Sequence, residues 1–208
     1  MRAIWTRLAP GIATLALALA SGSVSAQFSS NPCSPSGDFV TGGGFIIPNS
    51  TSGDHANFGV AGACKNGFFW GHLEYIDHGI DLNVHWTSIT AYIEVDSGYD
   101  SRGKPIGVRG ICGTARTNFY GDVDFLVRAR DAGEPGTMDE FDIRLSKNGG
   151  IVYSTEFFDF PHKLNDGNGG GGFGGGNIQL HQPNNSTTGT FGFFGDGKCP
   201  ALDFAVGA

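Results

Sequence analysis

Period-two alternation of apolar and polar residues organises the middle of this chain. Residues 123–146 read VDFLVRARDAGEPGTMDEFDIRLS. Val123, Phe125, Val127 and Ala129 alternate with Asp124, Leu126, Arg128 and Arg130; beyond a Gly/Pro turn, Phe141, Ile143 and Leu145 alternate with Asp142 and Arg144. Two alternating runs around a turn predict a half-buried antiparallel hairpin. The apolar residues of both strands must share a face, so odd positions pair with odd. Pairing Ala129 with Phe141 sets Val127 against Ile143 and Phe125 against Leu145. On the other face it sets Arg130 against Glu140 and Arg128 against Asp142, each opposite-charge pair contributing ~0.2–1 kcal/mol on a sheet surface. Sliding by two in one direction opposes Arg128 to Arg144; sliding the other way puts Asp139 on the apolar face.

A second hairpin, GHLEYIDHGIDLNVHW from Gly71, is predicted to turn at His78-Gly79. Counting outward, Asp77 meets Ile80, Tyr75 meets Leu82 and Leu73 meets Val84. The opposite face then pairs Glu74 with Asn83 and His72 with His85. Further alternating stretches predict strands at 39–48, 56–63, 68–77, 80–87, 89–96, 107–117, 122–131, 138–146, 151–158 and 177–181, with 190–194 as an additional candidate. No helical period runs beyond residue 26. Dense short strands of this kind predict an all-β fold, an antiparallel β-sandwich or flattened barrel of about ten strands.

The first 26 residues follow a different pattern. Arg2 and Arg7 precede an apolar run from Gly11 to Ala20, and Val24-Ser25-Ala26 ends it with small residues. This is the layout of a secretory signal cut before Gln27, its apolar core too short for a membrane span of ~20 residues. The expected organisation is therefore signal peptide 1–26, N-terminal tail 27–37, β-rich domain 38–182 and a C-terminal extension 183–208 packed on the domain. The run NDGNGGGGFGGG from Asn165 reads as a flexible loop; no Lys-Ser/Thr follows to make it a phosphate cradle.

The net charge of the chain is −7. Removing the first 26 residues takes away two arginines and no acid, so the secreted form carries two fewer positive charges. Such a chain is a poor electrostatic match for nucleic acid or anionic lipid. Thirty-five glycines accompany seventeen phenylalanines, which favours tight turns around a real core over disorder. Four cysteines, Cys33, Cys64, Cys112 and Cys199, in an exported chain predict two disulfides. Three pairings exist, and Cys33–Cys199 with Cys64–Cys112 is the expected one.

Two metal sites follow from the hairpins. Asp131 and Asp139 face each other at the mouth of the 132–137 loop with Glu134 inside it, an oxygen-rich setting for Ca²⁺. Cross-strand neighbours lie ~4.5–5.5 Å apart, which would let His72, Glu74 and His85 hold Zn²⁺. Neither site has the spacing of a known calcium loop or of a zinc protease. Nucleophile elbow, His-Glu-x-x-His and P-loop motifs are absent from the sequence, so no catalytic residue is assigned. Trp70, Tyr75, Trp86, Tyr92 and Phe119 would form a sugar-stacking platform if exposed.

Several of these segments occur in a familiar order: TGGGFI from Thr41, ANFGV from Ala56, GHLEYIDHG from Gly71 and VHWTSI from Val84. DAGEPGTMDEFDIRLS from Asp131 and GGNIQLH at 175–181 complete the series. Together they resemble the post-COAP domain family of exported bacterial proteins. The resemblance spans residues 38–181; the four cysteines and the extension beyond His181 depart from it. It implies a secreted β-rich module without catalytic residues. The expectation is a non-catalytic extracellular binding or structural module with polysaccharide or cell-surface protein as partner; a secreted glycan hydrolase is the alternative.

Overall fold

The computed structural model describes residues 37–136, 138–157, 160–165, 174–188 and Cys199. Among these residues nine strands run in order: β1 Phe39–Ile46, β2 Ala56–Lys65, β3 Phe68–Asp77, β4 Leu82–Tyr99, β5 Pro105–Thr117, β6 Gly121–Asp131, β7 Glu140–Lys147, β8 Gly150–Ser154 and β9 Gly175–His181. A short 3-10 turn, Thr155–Phe157, follows β8. All are antiparallel in one sheet of order β8-β7-β6-β5-β4-β3-β2-β1-β9. The all-β class stands, but there is one curled sheet, a half-barrel, where two stacked sheets were one of the expectations. The expected signal peptide, Cys33 and the 190–194 strand lie outside the described residues, as does most of the C-terminal extension. Among the described residues no helix is long and apolar enough to cross a membrane.

The curl follows from where the apolar side chains go. Val60, Leu73, Tyr75, Val84, Tyr92, Ile111, Phe125, Val127, Ile143 and Leu180 all pack into a single core. Phe58 on β2 stacks on Phe141 of β7, centroids 3.9 Å apart, although four strands separate them in the sheet. Such contact demands a sheet bent onto its own apolar face. On its core-facing side β2 has Gly62: a Cβ there would lie 2.9 Å from Ile111 and 3.0 Å from the Tyr92 ring. Gly62→Val is therefore expected to lose about 1–3 kcal/mol through overpacking, read as a lowered urea midpoint. An unchanged midpoint would mean that the interior there is slack.

The β6–β7 register is the one the charges dictate: Ala129 with Phe141, Val127 with Ile143, Arg128 with Asp142 and Arg130 with Glu140. The β3–β4 register differs from expectation by two residues. Asp77 pairs with Leu82 and Tyr75 with Val84, around a four-residue turn. The cause is local. Asp77 Oδ1 accepts the Gly79 N–H at 2.9 Å, and Asp81 takes φ 56°, a conformation that Asp tolerates. Parity survives the shift, so the same residues face the core.

The two strands expected at 80–87 and 89–96 are one, β4. It carries register irregularities at Trp86/Ser88, Ile89/Ala91 and Glu94/Asp96. A bulge places two residues opposite one and reverses the alternation. Apolar parity thus moves from Val84 and Trp86 to Ile89, then to Tyr92, mimicking a chain break.

Last in sequence, β9 pairs with the first strand: Val40 with Leu180 and Phe39 with His181. His181 stacks on Phe39 at 4.4 Å, and its Nε2 lies 2.8 Å from Thr41 Oγ1.

Candidate functional site

The acidic loop performs a structural task. Asp131 Oδ2 accepts the Leu180 N–H at 2.7 Å and Asp139 Oδ2 accepts that of Ile178 at 2.8 Å. Their remaining oxygens accept the N–H groups of Gly133 and Ala132, at 2.7 and 2.9 Å. The two carboxylates thus stand in for a neighbouring strand along the outer edge of β9. Burial raises the pKa of Asp131. It raises that of Asp139 to about 6, against the pull of the Ala132 and Ile178 N–H groups and with help from Asp131 and Glu134. Glu134 is exposed. All four oxygens of the pair are engaged with backbone, so the calcium expectation meets residues already in use.

The zinc expectation takes His72 and His85 as cross-strand neighbours, and that pairing is corrected by the observed register. His85 pairs with Glu74 across β3–β4 and its Nδ1 contacts the Glu74 carboxylate. His72 lies opposite Ala61 on β2. Among the described residues no three His, Cys, Asp or Glu side chains are grouped to hold a metal ion.

The disulfide pairing is also corrected. Cys112 is bonded to Cys199, with Cα atoms 5.3 Å apart. Cys64 is itself disulfide-bonded, its partner lying outside the described residues. Parity forbids a Cys64–Cys112 bond. Cys64 belongs to the main core, whereas Cys112 sits with Ala91 and Leu126 in a small second cluster that Ile93, Phe160 and Cys199 cover. Leu126, an apolar residue on the polar face of its hairpin, was the signal for that cluster.

The face carrying Arg128 and Arg130 is not a solvated one. Glu140 and Asp142 are buried there beneath the chain after β8. Arg128 Nη1 lies 2.7 Å from Glu140 Oε2 and Arg130 Nη1 lies 2.8 Å from Oε1. His162 Nδ1 is 2.7 Å from Asp142 Oδ1, and Arg144 Nη2 is 2.6 Å from Glu156 Oε2. Of the aromatics expected to form a sugar platform, Trp70 and Phe119 are exposed, Trp86 packs against the core, and Tyr75 and Tyr92 are fully buried.

The feature with the form of a ligand site lies elsewhere. A cleft of about 390 Å³ opens between the loop after β1, the β3–β4 turn, and β8 with its 3-10 turn. This volume is within the ~300–1,000 Å³ usual for small-ligand pockets. Pro48, Ile80, Val152 and Phe157 supply apolar walls, with Ile80 48% and Phe157 66% exposed. Asp77 and Tyr153 bring polar atoms to it. Tyr153 donates to Asp77 Oδ2 at 2.8 Å, which leaves the Tyr75 hydroxyl to donate to Tyr153 at 2.6 Å. Burial, reinforced by the neighbouring phenol, drives the pKa of Tyr75 well above its ordinary value. Burial likewise raises Tyr153, so both phenols stay protonated.

Sequence reasoning passed over these residues. Asp77 shares odd parity with Leu73 and Tyr75, so a carboxylate on an apolar face was the available signal. Its meeting with Tyr153 depends on the curl, which no local pattern encodes. Comparisons with family models, with curated proteins and with solved structures find no match to this chain.

Proposed function

We propose that this chain is a secreted bacterial module of the post-COAP kind that binds an extracellular partner without transforming it, through the cleft between the β3–β4 turn and β8. The observation that carries this reading is the chemistry of the cleft. Exposed Ile80 and Phe157 flank an apolar concavity, while its buried carboxylate, Asp77, already accepts from Gly79 N–H and Tyr153 O–H. Apolar walls with a few fixed polar groups favour holding a ligand. The buried acids whose pKa values are raised, Asp131 and Asp139, serve to fix β9, so their shifts are explained without catalysis.

An NMR screen of small apolar, sugar and charged fragments against the mature, disulfide-bonded protein tests this. Shifts are expected at Gly79, Ile80, Val152 and Phe157, weakened in Phe157→Ala, with every fragment recovered intact. Mass spectrometry of the exported protein is expected to find its N-terminus at Gln27. A hydrolase acting on a glycan is the second reading, favoured by the approach of Asp54 to Asp77 beside Gly79. Release of reducing ends from a glycan, abolished by Asp77→Asn, would replace the binding reading with that one.

A further inference from the structure

We infer that the cleft takes a primary ammonium group on an apolar stem, the chemistry of a lysine side chain presented by a protein partner. The inference rests on the binding reading and names the ligand class for the same site. It starts from charge. Asp77 Oδ1 lies 3.2 Å, and Asp54 Oδ2 3.1 Å, from the point where a Cβ on Gly79 would stand. Two carboxylates thus converge on one side of the cleft, and among the described residues no Lys, Arg or His lines it. A low-dielectric concavity with one sign of charge concentrates the opposite ion. An ammonium has three donors and no acceptor, which suits Asp54 together with the lone pairs that Asp77 keeps beyond its bonds from Gly79 and Tyr153. Tyr153 and Phe157 also line the cleft, and aromatic rings attract cations.

The rest of the cleft selects the body that carries the charge. Its polar side chains are committed to their own turns. Asn49 Oδ1 accepts the Thr51 N–H at 2.9 Å, Ser52 Oγ donates to the Asn49 carbonyl at 3.2 Å, and Ser154 Oγ accepts the Glu156 N–H at 3.2 Å. The hydroxyls of an amino sugar would find few partners there, and buried unpaired polar groups are costly. An aliphatic stem asks for none and gains from Pro48, Ile80 and Val152.

Nitrogen-edited NMR titration of the mature, disulfide-bonded chain decides the matter, with Nα-acetyl-lysine methylamide, its Nε-acetylated counterpart and glucosamine as probes. The first is expected to move the Gly79 and Ile80 amides. The Nε-acetylated probe is expected to need about tenfold higher concentration, as is the first probe with Asp54→Asn, the scale of one lost charge contact in a partly desolvated site. Asp54 is exposed, so this variant tests charge without endangering the fold. Equal binding of the acetylated probe overturns the ammonium inference and leaves the binding reading intact. Tighter binding of glucosamine overturns the lysine assignment in favour of an amino sugar. Silence at the cleft with all three probes overturns the inference, and the binding reading falls with it only if the wider fragment screen is silent there too.

Discussion

Replacing Asp38 with Ala is expected to destabilise the protein by about 3–5 kcal/mol, the range measured when one member of a buried ion pair is removed. Arg109 is 1% exposed and points into the core, where its Nε lies 3.1 Å from Asp38 Oδ1 and Nη2 contacts Oδ2. Tyr92 donates to the same carboxylate at 2.8 Å. Removal of Asp38 leaves a buried guanidinium facing Glu94 only at 3.6 Å, with the Val108 and Asp96 carbonyls and Ser97 as remaining acceptors. It also strips the acceptor from a buried phenol. Against a typical total of about 5–15 kcal/mol, much of the stability goes. Urea titration of Asp38→Ala with an unchanged slope is the measurement. The double variant Asp38→Leu, Arg109→Met is expected to recover most of the loss, because it removes the charge as well as its partner. A loss below about 1 kcal/mol in the single variant would show that carbonyls alone satisfy Arg109.

The second large effect concerns pH. Asp139 holds its proton to about pH 6 in the fold because burial outweighs the N–H groups of Ala132 and Ile178. Unfolded, it titrates in the ordinary range near 3.8. A carboxyl that binds its proton more tightly in the fold stabilises it on acidification. The contribution is complete below about pH 3.8 and lost as pH rises through 6. Its size is about 3 kcal/mol at most for a shift of about two units. Asp139→Ala has no such proton and leaves two N–H groups without acceptors, so it is expected to cost about 2–4 kcal/mol at pH 5. The gap between the proteins should narrow by pH 7.5. His181, whose pKa burial lowers, works in the opposite sense, so the difference between the two proteins is the quantity to read. A gap that is flat or widens with pH would place the buried proton elsewhere.

Much of the strand pattern was legible because parity is robust. Odd positions of β6 and β7 face the core as their alternation requires, and Arg128, Arg130, Glu140 and Asp142 select one register among the parity-allowed ones. The β3–β4 hairpin offered only one pair of this kind, Glu74 opposite His85, and its turn chemistry sets the register two residues from the expected one while keeping parity. That displacement keeps Glu74 against His85 and leaves His72 no longer opposite His85. In β4 the bulges broke the alternation that periodicity relies on. Arg109 was visible as a cation of the same parity as Ile111. Its partner stands 71 positions away at the start of β1, and only the curl brings them together. The cleft was illegible for the same reason: Asp77 and Tyr153 are 76 positions apart and meet through tertiary closure.

The seam between β1 and β9 has a kinetic consequence. Every other ladder of the sheet joins neighbours in sequence, so each can form as a local hairpin as soon as its turn closes. The seam joins residues such as Thr41 and His181, 140 positions apart, and its loop-closure entropy must be met before any contact repays it. The meander therefore assembles first and β9 joins the sheet last. A chain emerging from its N-terminus holds β1 with one edge unpaired, and Asp131 and Asp139 without the N–H groups they will accept, until β9 arrives. Completion of the sheet is thus timed by the arrival of β9, and the burial of two carboxylates is the event that marks it.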